Sequence, residues 1–133
     1  IVSINPPYKK LGTGIVNDGE DYKNARHEFT CTLEDAAKAA STLLKYGGRF
    51  CICQRPERLP DIFAAMRKHK IEPKSMREVI QRTGKEPNLV IVEGKKGSAP
   101  GFRIRAPLII ENESGKYSEE AEKLFYGYKY KEI

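Results

Sequence analysis

The residues of this chain with the clearest chemical potential are Asn5-Pro6-Pro7-Tyr8, which follow a short apolar run at residues 1–4. The Asn5 side-chain carbonyl and the Pro6 backbone carbonyl can each accept a hydrogen bond from a planar NH2 group, and the Tyr8 ring can stack on the group that carries it. The two prolines fix φ and remove two competing N–H donors, so both carbonyls are oriented before a ligand arrives. The pattern indicates an amine-binding site at the end of a strand. The alternative is an ordinary break between strand and loop, since Asn-Pro and Pro-Pro pairs are common in turns.

The segments after these residues predict a βαβ unit. Thr32 has the character of a helix N-cap, acidic residues at 34–35 suit the first turn, and the glycines at 47–48 end the helix. The apolar residues of this helix recur at helical spacing: Leu33, Ala36, Ala37, Ala40, Leu43 and Leu44. The continuous apolar run 50–53 is typical of a buried strand parallel to the first. Residues 9–28 are polar and turn-rich, which predicts a long mobile loop of the kind that often has a function.

The second half of the chain predicts a further helix and an antiparallel pair of strands. The expected segments are a helix from about 59 or 60 to 69, a strand over 71–82 interrupted at Pro73, a strand over 88–93 ended by Gly94, an extended edge segment over 102–110, a turn at 113–116 and a short helix capped by Ser118 and ending near Tyr126.

Composition limits the class of protein. The chain has 133 residues, 39% of them hydrophobic and 32% charged, which fits one soluble domain. We expect a cytoplasmic protein, because the sequence contains neither an apolar run long enough to span a membrane nor a signal peptide. The three cysteines form no Cys-x-x-Cys pair, which favours buried free thiols over a disulfide or a metal site.

The net charge of +6 is concentrated in one stretch. Residues 67–105 contain eleven Lys and Arg against four Glu, whereas the remainder of the chain is almost balanced. A concentrated basic surface suits a polyanion such as nucleic acid, because neutralising phosphates releases counterions. The alternative is a solvated surface rich in lysine.

Seven stretches together resemble a known family. They are Asn5-Pro6-Pro7-Tyr8 and residues 25–28, 44–50, 55–59, 71–74, 88–97 and 107–110. In this order they resemble the bacterial tRNA1(Val) adenine-N6 methyltransferases. The stretches 55–59 and 92–97 are the most specific, since other amino-group methyltransferases share Asn-Pro-Pro-Tyr. The resemblance implies an α/β fold, namely the C-terminal half of a Rossmann-like class I methyltransferase sheet, with parallel strands and a terminal antiparallel pair.

The resemblance also implies roles for individual residues. Asn5, Pro6, Pro7 and Tyr8 would form the catalytic site, in which Asn5 and the Pro6 carbonyl hold the N6 amine of an adenine in a tRNA anticodon loop, and Tyr8 stacks on the base. Asn5 would also contact the cofactor, S-adenosylmethionine. No metal is implied. The candidate contacts to RNA phosphates are Lys9, Lys10, Arg26, Lys74, Arg77, Arg82, Lys85, Lys95 and Lys96.

The cofactor-binding half of this fold has no counterpart in the sequence. No strand is followed by Gly-x-Gly-x-x-Gly. We therefore expect residues 1–133 to form a single partial domain, the substrate-side half, which alone neither binds S-adenosylmethionine measurably nor methylates a substrate. We also expect self-association through the exposed apolar edge of the first strand.

Three alternatives stay open at this point. The methylated amine could be a glutamine side chain of a protein or N2 of a guanine in ribosomal RNA. The chain could also be an RNA-binding module without catalysis, which fits its charge and the missing cofactor half.

Overall fold

The computed structural model describes residues 1–6 and 32–127 of the chain. The predicted loop at 9–28 lies outside these residues. The strands are β1 (Val2–Ile4), β2 (Arg49–Gln54), β3 (Ile71–Ile80), β4 (Pro87–Lys96), β5 (Arg103–Ile104) and β6 (Leu108–Ile109). The α-helices are α1 (Leu33–Leu43), α2 (Leu59–Lys68), which follows a single 3-10 turn at Pro56–Arg58, and α3 (Glu119–Tyr126).

The strands form one sheet in the order β1-β2-β4-β3-β5, and β6 pairs with the far end of β3. β1 and β2 are parallel, with Ile4 beside Ile52, which confirms the predicted βαβ arrangement. β4 runs antiparallel to both β2 and β3, as expected for the pair joined by a short connection. β5 and β6 run parallel to β3 along its outer edge, where the sequence predicts an extended edge segment. At the other end of the order, β1 pairs only with β2 among the described strands.

Helix α1 begins where its sequence predicts. The Thr32 hydroxyl accepts a hydrogen bond from the Asp35 N–H at 3.0 Å, and the Asp35 carboxylate accepts one from the Thr32 N–H at 3.0 Å. This reciprocal capping box satisfies two N–H groups that the first helical turn leaves without partners. The Thr32 hydrogen bonds lower the pKa of the Asp35 carboxyl.

The hydrophobic core lies between one face of the sheet and the helices α1 and α2. Phe50, Ile52, Val90 and Val92 point from the sheet into this layer, and they are almost completely buried. The helices contribute small and flexible side chains to it: Ala36, Ala37, Ala40, Ile62, Ala65 and Met66. Small residues on α1 allow the helix to approach the sheet closely.

The apolar face predicted for α1 is wrong at one position. Leu43 is 74% exposed, whereas Leu44 is buried. The helix ends at Leu43, and Leu44 adopts an extended conformation that turns its side chain into the core. The helix therefore ends before the glycines at 47–48, which were predicted to end it.

The end predicted for β4 is also wrong, because the strand continues through Gly94 to Lys96. Gly94 is buried, and a Cβ atom there would lie 2.6 Å from the Ile71 Cγ2 atom and 3.0 Å from the Met66 sulfur. This glycine is required by close packing within the strand and does not mark its end.

Cys51 and Cys53 are half-buried, not fully buried as predicted. β2 alternates between buried and half-buried residues, and the cysteines lie on the sheet face opposite to α1 and α2. Burial raises the pKa of the Cys51 thiol, and the Glu93 carboxylate, 3.9 Å from its sulfur, raises it further.

The turn and the last helix follow the sequence pattern. The Ser118 hydroxyl accepts a hydrogen bond from the Ala121 N–H at 3.1 Å, which caps α3 at its predicted start. None of the helices in the described part of the chain combines the length and the apolar character that crossing a bilayer requires.

Candidate active site

Asn5 and Pro6 lie directly after β1, where that strand reaches the carboxyl edge of the sheet. The last matched pair of the parallel strands is Ile4 and Ile52, so Asn5 is one step farther, level with Cys53. Asn5 is exposed, and Pro6 is buried. The proline ring and its packing therefore fix the backbone directly after an exposed asparagine.

The neighbouring strand ends in a buried amide that the sequence analysis did not single out. Gln54 is completely buried, and its Oε1 atom accepts a hydrogen bond from the Arg55 N–H at 2.9 Å. This bond fixes the start of the connection to α2. Every second residue of β2 is buried, namely Phe50, Ile52 and Gln54. This period of two could have predicted from the sequence that Gln54 is buried.

The connection between β2 and α2 is held by an ion pair. The Arg58 Nε atom lies 2.8 Å from an Asp61 carboxylate oxygen, and the Arg58 side chain is mostly buried. Asp61 belongs to the first turn of α2, where the helix dipole favours a negative charge. The Arg58–Asp61 pair therefore fixes the start of α2 at the end of the stretch 55–59.

The β3–β4 hairpin extends beyond the carboxyl end of β2. Gln54 is opposite Val90, so the residues from Gln81 to Leu89 project past the sheet edge. An open groove of about 690 Å³ lies at this tip. It is lined by Gln81, Arg82, Lys85, Glu86, Asn88 and Glu111.

The groove contains a positive and a negative side chain that are hydrogen-bonded to each other. The Arg82 Nε atom lies 2.6 Å from one Glu111 carboxylate oxygen, and the Gln81 side-chain amide donates to the other. The hydrogen bond from Arg82 is the main cause that holds the pKa of Glu111 below its usual range. Arg82 is about half exposed, so a phosphate could reach it from the solvent side.

The described RNA-contact candidates do not form one cluster. Arg82 and Lys85 lie at the hairpin tip, at the same end of the strands as Asn5. Arg77 lies level with Asn5 but three strands away, about 15 Å. It donates to the Ala106 carbonyl and contacts Glu120 at 2.7 Å.

The other three described candidates lie toward the opposite end of the strands from Asn5. The Lys74 ammonium donates to the Ala99 carbonyl at 2.9 Å. Lys95 is exposed and is opposite Arg49 at the start of β2. The Lys96 ammonium donates to the Ser41 and Leu44 carbonyls at the end of α1.

The remaining site candidates lie outside the described residues. These are Pro7, Tyr8, Lys9, Lys10 and Arg26.

The fold matches a solved structure. Over 92% of its length, the chain superimposes on 49% of a predicted O-methyltransferase from Agrobacterium tumefaciens, with a TM-score of 0.70 and 24% sequence identity. The chain therefore has the Rossmann-like α/β fold found in part of that protein. No protein-family model matches the chain, and no curated protein matches it. The chain thus spans about half the length of the solved protein to which it is similar.

The features that a cofactor site or a metal site would need can be checked in the described residues. Asn5, which the sequence analysis predicts to contact a cofactor, lies at the carboxyl edge of the parallel strands, where α/β sheets bind their ligands. Within residues 1–6 and 32–127, no strand leads into a glycine-rich Gly-x-Gly-x-x-Gly turn. The same residues contain no group of His, Cys, Asp and Glu side chains arranged to hold a metal ion.

Proposed function

We propose that this chain is the substrate-side part of an S-adenosylmethionine-dependent methyltransferase that acts on the N6 amine of an adenine in tRNA. The observation that carries the proposal is the position of exposed Asn5 beside buried Pro6, at the carboxyl end of the first of two parallel strands. In Rossmann-like sheets ligands bind at the carboxyl ends of the parallel strands, so in a methyltransferase this edge would bring the substrate to the methyl donor.

The chemistry explains the choice of residues. The N6 lone pair of adenine is delocalised into the ring, so the amine is a poor nucleophile until it is oriented. Asn5 Oδ1 and the Pro6 carbonyl each accept a hydrogen bond from one N–H group of this amine. These bonds orient the nitrogen and stabilise the positive charge that develops on it during attack. S-adenosylmethionine would supply the methyl group, whose bond to sulfur breaks as the bond to N6 forms, leaving S-adenosylhomocysteine. N6 would then lose a proton to solvent, so the site needs no general base.

The charge distribution favours RNA over a protein substrate. The basic stretch 67–105 includes the β3–β4 hairpin, whose groove presents Arg82 and Lys85 at the same sheet edge as Asn5. Because an anticodon loop is single-stranded, its bases can reach a pocket at lower cost than those of a duplex.

The proposal concerns the protein that contains this chain together with a cofactor-binding half. It is tested by supplying that protein with labelled S-adenosylmethionine and, in separate reactions, unmodified tRNA, ribosomal RNA and a glutamine-containing release factor. We expect label in tRNA. Label in ribosomal RNA or in the protein would replace the proposed substrate, and RNA binding without any transfer would indicate an RNA-binding module.

The role of Asn5 has a matched control on the same strand. We expect Asn5→Ala to lower kcat by about 10²- to 10³-fold, as the removal of one preorganised polar group does in other enzymes. Ser3, two residues earlier and also exposed, makes no proposed contact, so Ser3→Ala should retain the wild-type rate. Equal rates for both variants would remove Asn5 from the mechanism.

A further inference from the structure

An apolar cleft lies between α2 and the segment that follows β4. Its volume is about 480 Å³, within the range of pockets that hold small ligands. The Phe63 and Phe102 rings pack edge to face, with their centroids 5.2 Å apart and their planes at 79°, and together they form one aromatic wall of the cleft. Ala64, Pro73 and Gly101 complete the apolar lining. Phe102 is 41% exposed, so one ring faces the solvent across the opening.

The polar groups of this cleft form an ion pair. An Arg67 guanidinium nitrogen lies 2.7 Å from a Glu72 carboxylate oxygen. Arg67 is largely exposed and Glu72 is largely buried, so the cation is the outer partner. The pair presents N–H donors and carboxylate acceptors beside two aromatic rings, which is the combination that recognises the edge and face of a nucleobase.

Two cations lie at the rim of the cleft. Arg67 is the exposed partner of its ion pair, and the Lys74 ammonium lies beside Gly101, 3.4 Å from the position that a Cβ atom would take there. The Lys74 ammonium holds the loop that carries Phe102, through its hydrogen bond to the Ala99 carbonyl. A flat aromatic ligand attached to a polyanion therefore complements both the cleft and its rim.

The cleft is separate from the amine site. Asn5 is level with Arg77 across the sheet, whereas Pro73 lies four residues earlier on β3, and three strand spacings separate β1 from β3. Together these two offsets place Pro73, in the cleft lining, about 20 Å from Asn5. A base in the cleft is thus not the base that reacts.

We propose that the cleft beside the Phe63–Phe102 ring pair binds an unpaired base of an RNA strand, which stacks on the exposed face of Phe102, as a second contact about 20 Å from Asn5. This inference rests on the proposed function for the identity of the RNA as tRNA. It gives Lys74, at the end of the sheet remote from Asn5, a contact with RNA in addition to its hydrogen bond to the Ala99 carbonyl.

The test measures the binding of RNA to the 133-residue chain, without a cofactor or methyl transfer. The probe is a fluorescent single-stranded RNA of about twelve nucleotides, and a second probe of equal length has an abasic ribose-phosphate backbone. We expect Phe102→Ala to weaken binding of the base-bearing probe by about 5- to 150-fold, and to leave the abasic probe unaffected. Phe102→Trp keeps an aromatic face and should bind as the wild type does.

Ile104 provides the matched control, since it is 74% exposed and lies two residues beyond Phe102. Ile104→Ala should leave both affinities unchanged. The proposal is overturned if Phe102→Ala binds the base-bearing probe normally, or weakens both probes equally. It is also overturned if sedimentation shows that Phe102→Ala dissociates a dimer of the chain, which would assign the cleft to a protein partner. A Phe102-dependent affinity combined with no methylation of tRNA would support the cleft and reject the proposed function.

Discussion

Lys96→Met should destabilise the fold strongly, whereas Lys95→Met should not. The Lys96 ammonium lies at the end of α1, 2.9 Å from the Leu44 carbonyl and in contact with the Ser41 carbonyl. The last turn of α1 has no basic residue of its own. A lysine on β4 therefore supplies the cation that a helix C-terminus favours.

The magnitude follows from these contacts. A hydrogen bond from a charged donor contributes about 1.5–3 kcal/mol, and a partly buried cation at a helix C-terminus contributes up to about 2 kcal/mol. The two effects share the same contacts and do not add fully, so we expect Lys96→Met to lower the free energy of unfolding by about 2–3 kcal/mol. For a domain of this size the corresponding fall in Tm is about 6–12 °C. Methionine retains most of the aliphatic stem, so the change reports mainly on the ammonium.

The assay is urea and thermal unfolding followed by far-ultraviolet circular dichroism. Lys95 is adjacent on the same strand but exposed, and Lys95→Met should change the free energy of unfolding by less than about 0.5 kcal/mol. Equal stabilities of the two variants, or a Lys96→Met variant as stable as the wild type, would refute the structural role of Lys96.

Three further predictions concern packing, acid stability and thiol reactivity. Gly94→Ala should lower the free energy of unfolding in urea by about 1–3 kcal/mol, because the added Cβ would press against Ile71 and Met66; wild-type stability would show that the sheet relaxes. The pKa of Glu111 is lowered in the folded protein, so its stabilising effect is present above the ordinary carboxyl pKa and is lost as pH falls through the folded value. The Tm of the wild type should therefore fall on acidification below about pH 4, and Glu111→Gln should reduce that fall; identical profiles would argue against the Arg82 contact. In a variant that keeps only Cys51, alkylation at mildly alkaline pH should be slower than that of a free thiol and faster after Glu93→Gln, because burial and Glu93 both raise the pKa of Cys51; an unchanged rate would contradict this electrostatic contribution.

The elements with local signals could be predicted from the sequence. Thr32 and Asp35 are three residues apart and cap α1 through their own contacts, so no distant part of the chain is needed to recognise them. The antiparallel pairing of β3 and β4 follows from their short connection. Asn5-Pro6-Pro7-Tyr8 indicated a site at a strand end, and β1 does end before Asn5.

The features that depend on distant residues could not be predicted. The roles of Lys96 and Gly94 are set by α1, α2 and β3, which are far away in sequence. The half-buried state of Cys51 and Cys53 depends on which face of the sheet the helices cover, and the apolar run around them does not reveal it. The Phe63–Phe102 contact joins residues 39 positions apart, and neither ring stands in a recognisable motif.

The most direct test of the central claim is the identity of the methylated nucleoside. The natural protein that contains this chain would be incubated with S-adenosylmethionine and unmodified tRNA, and the tRNA would then be digested to nucleosides and analysed by mass spectrometry. The account predicts N6-methyladenosine, with its yield strongly reduced in Asn5→Ala. A methyl group on guanine N2, on a ribose oxygen or on no nucleoside at all would contradict the assignment of Asn5 and Pro6 as the adenine amine site.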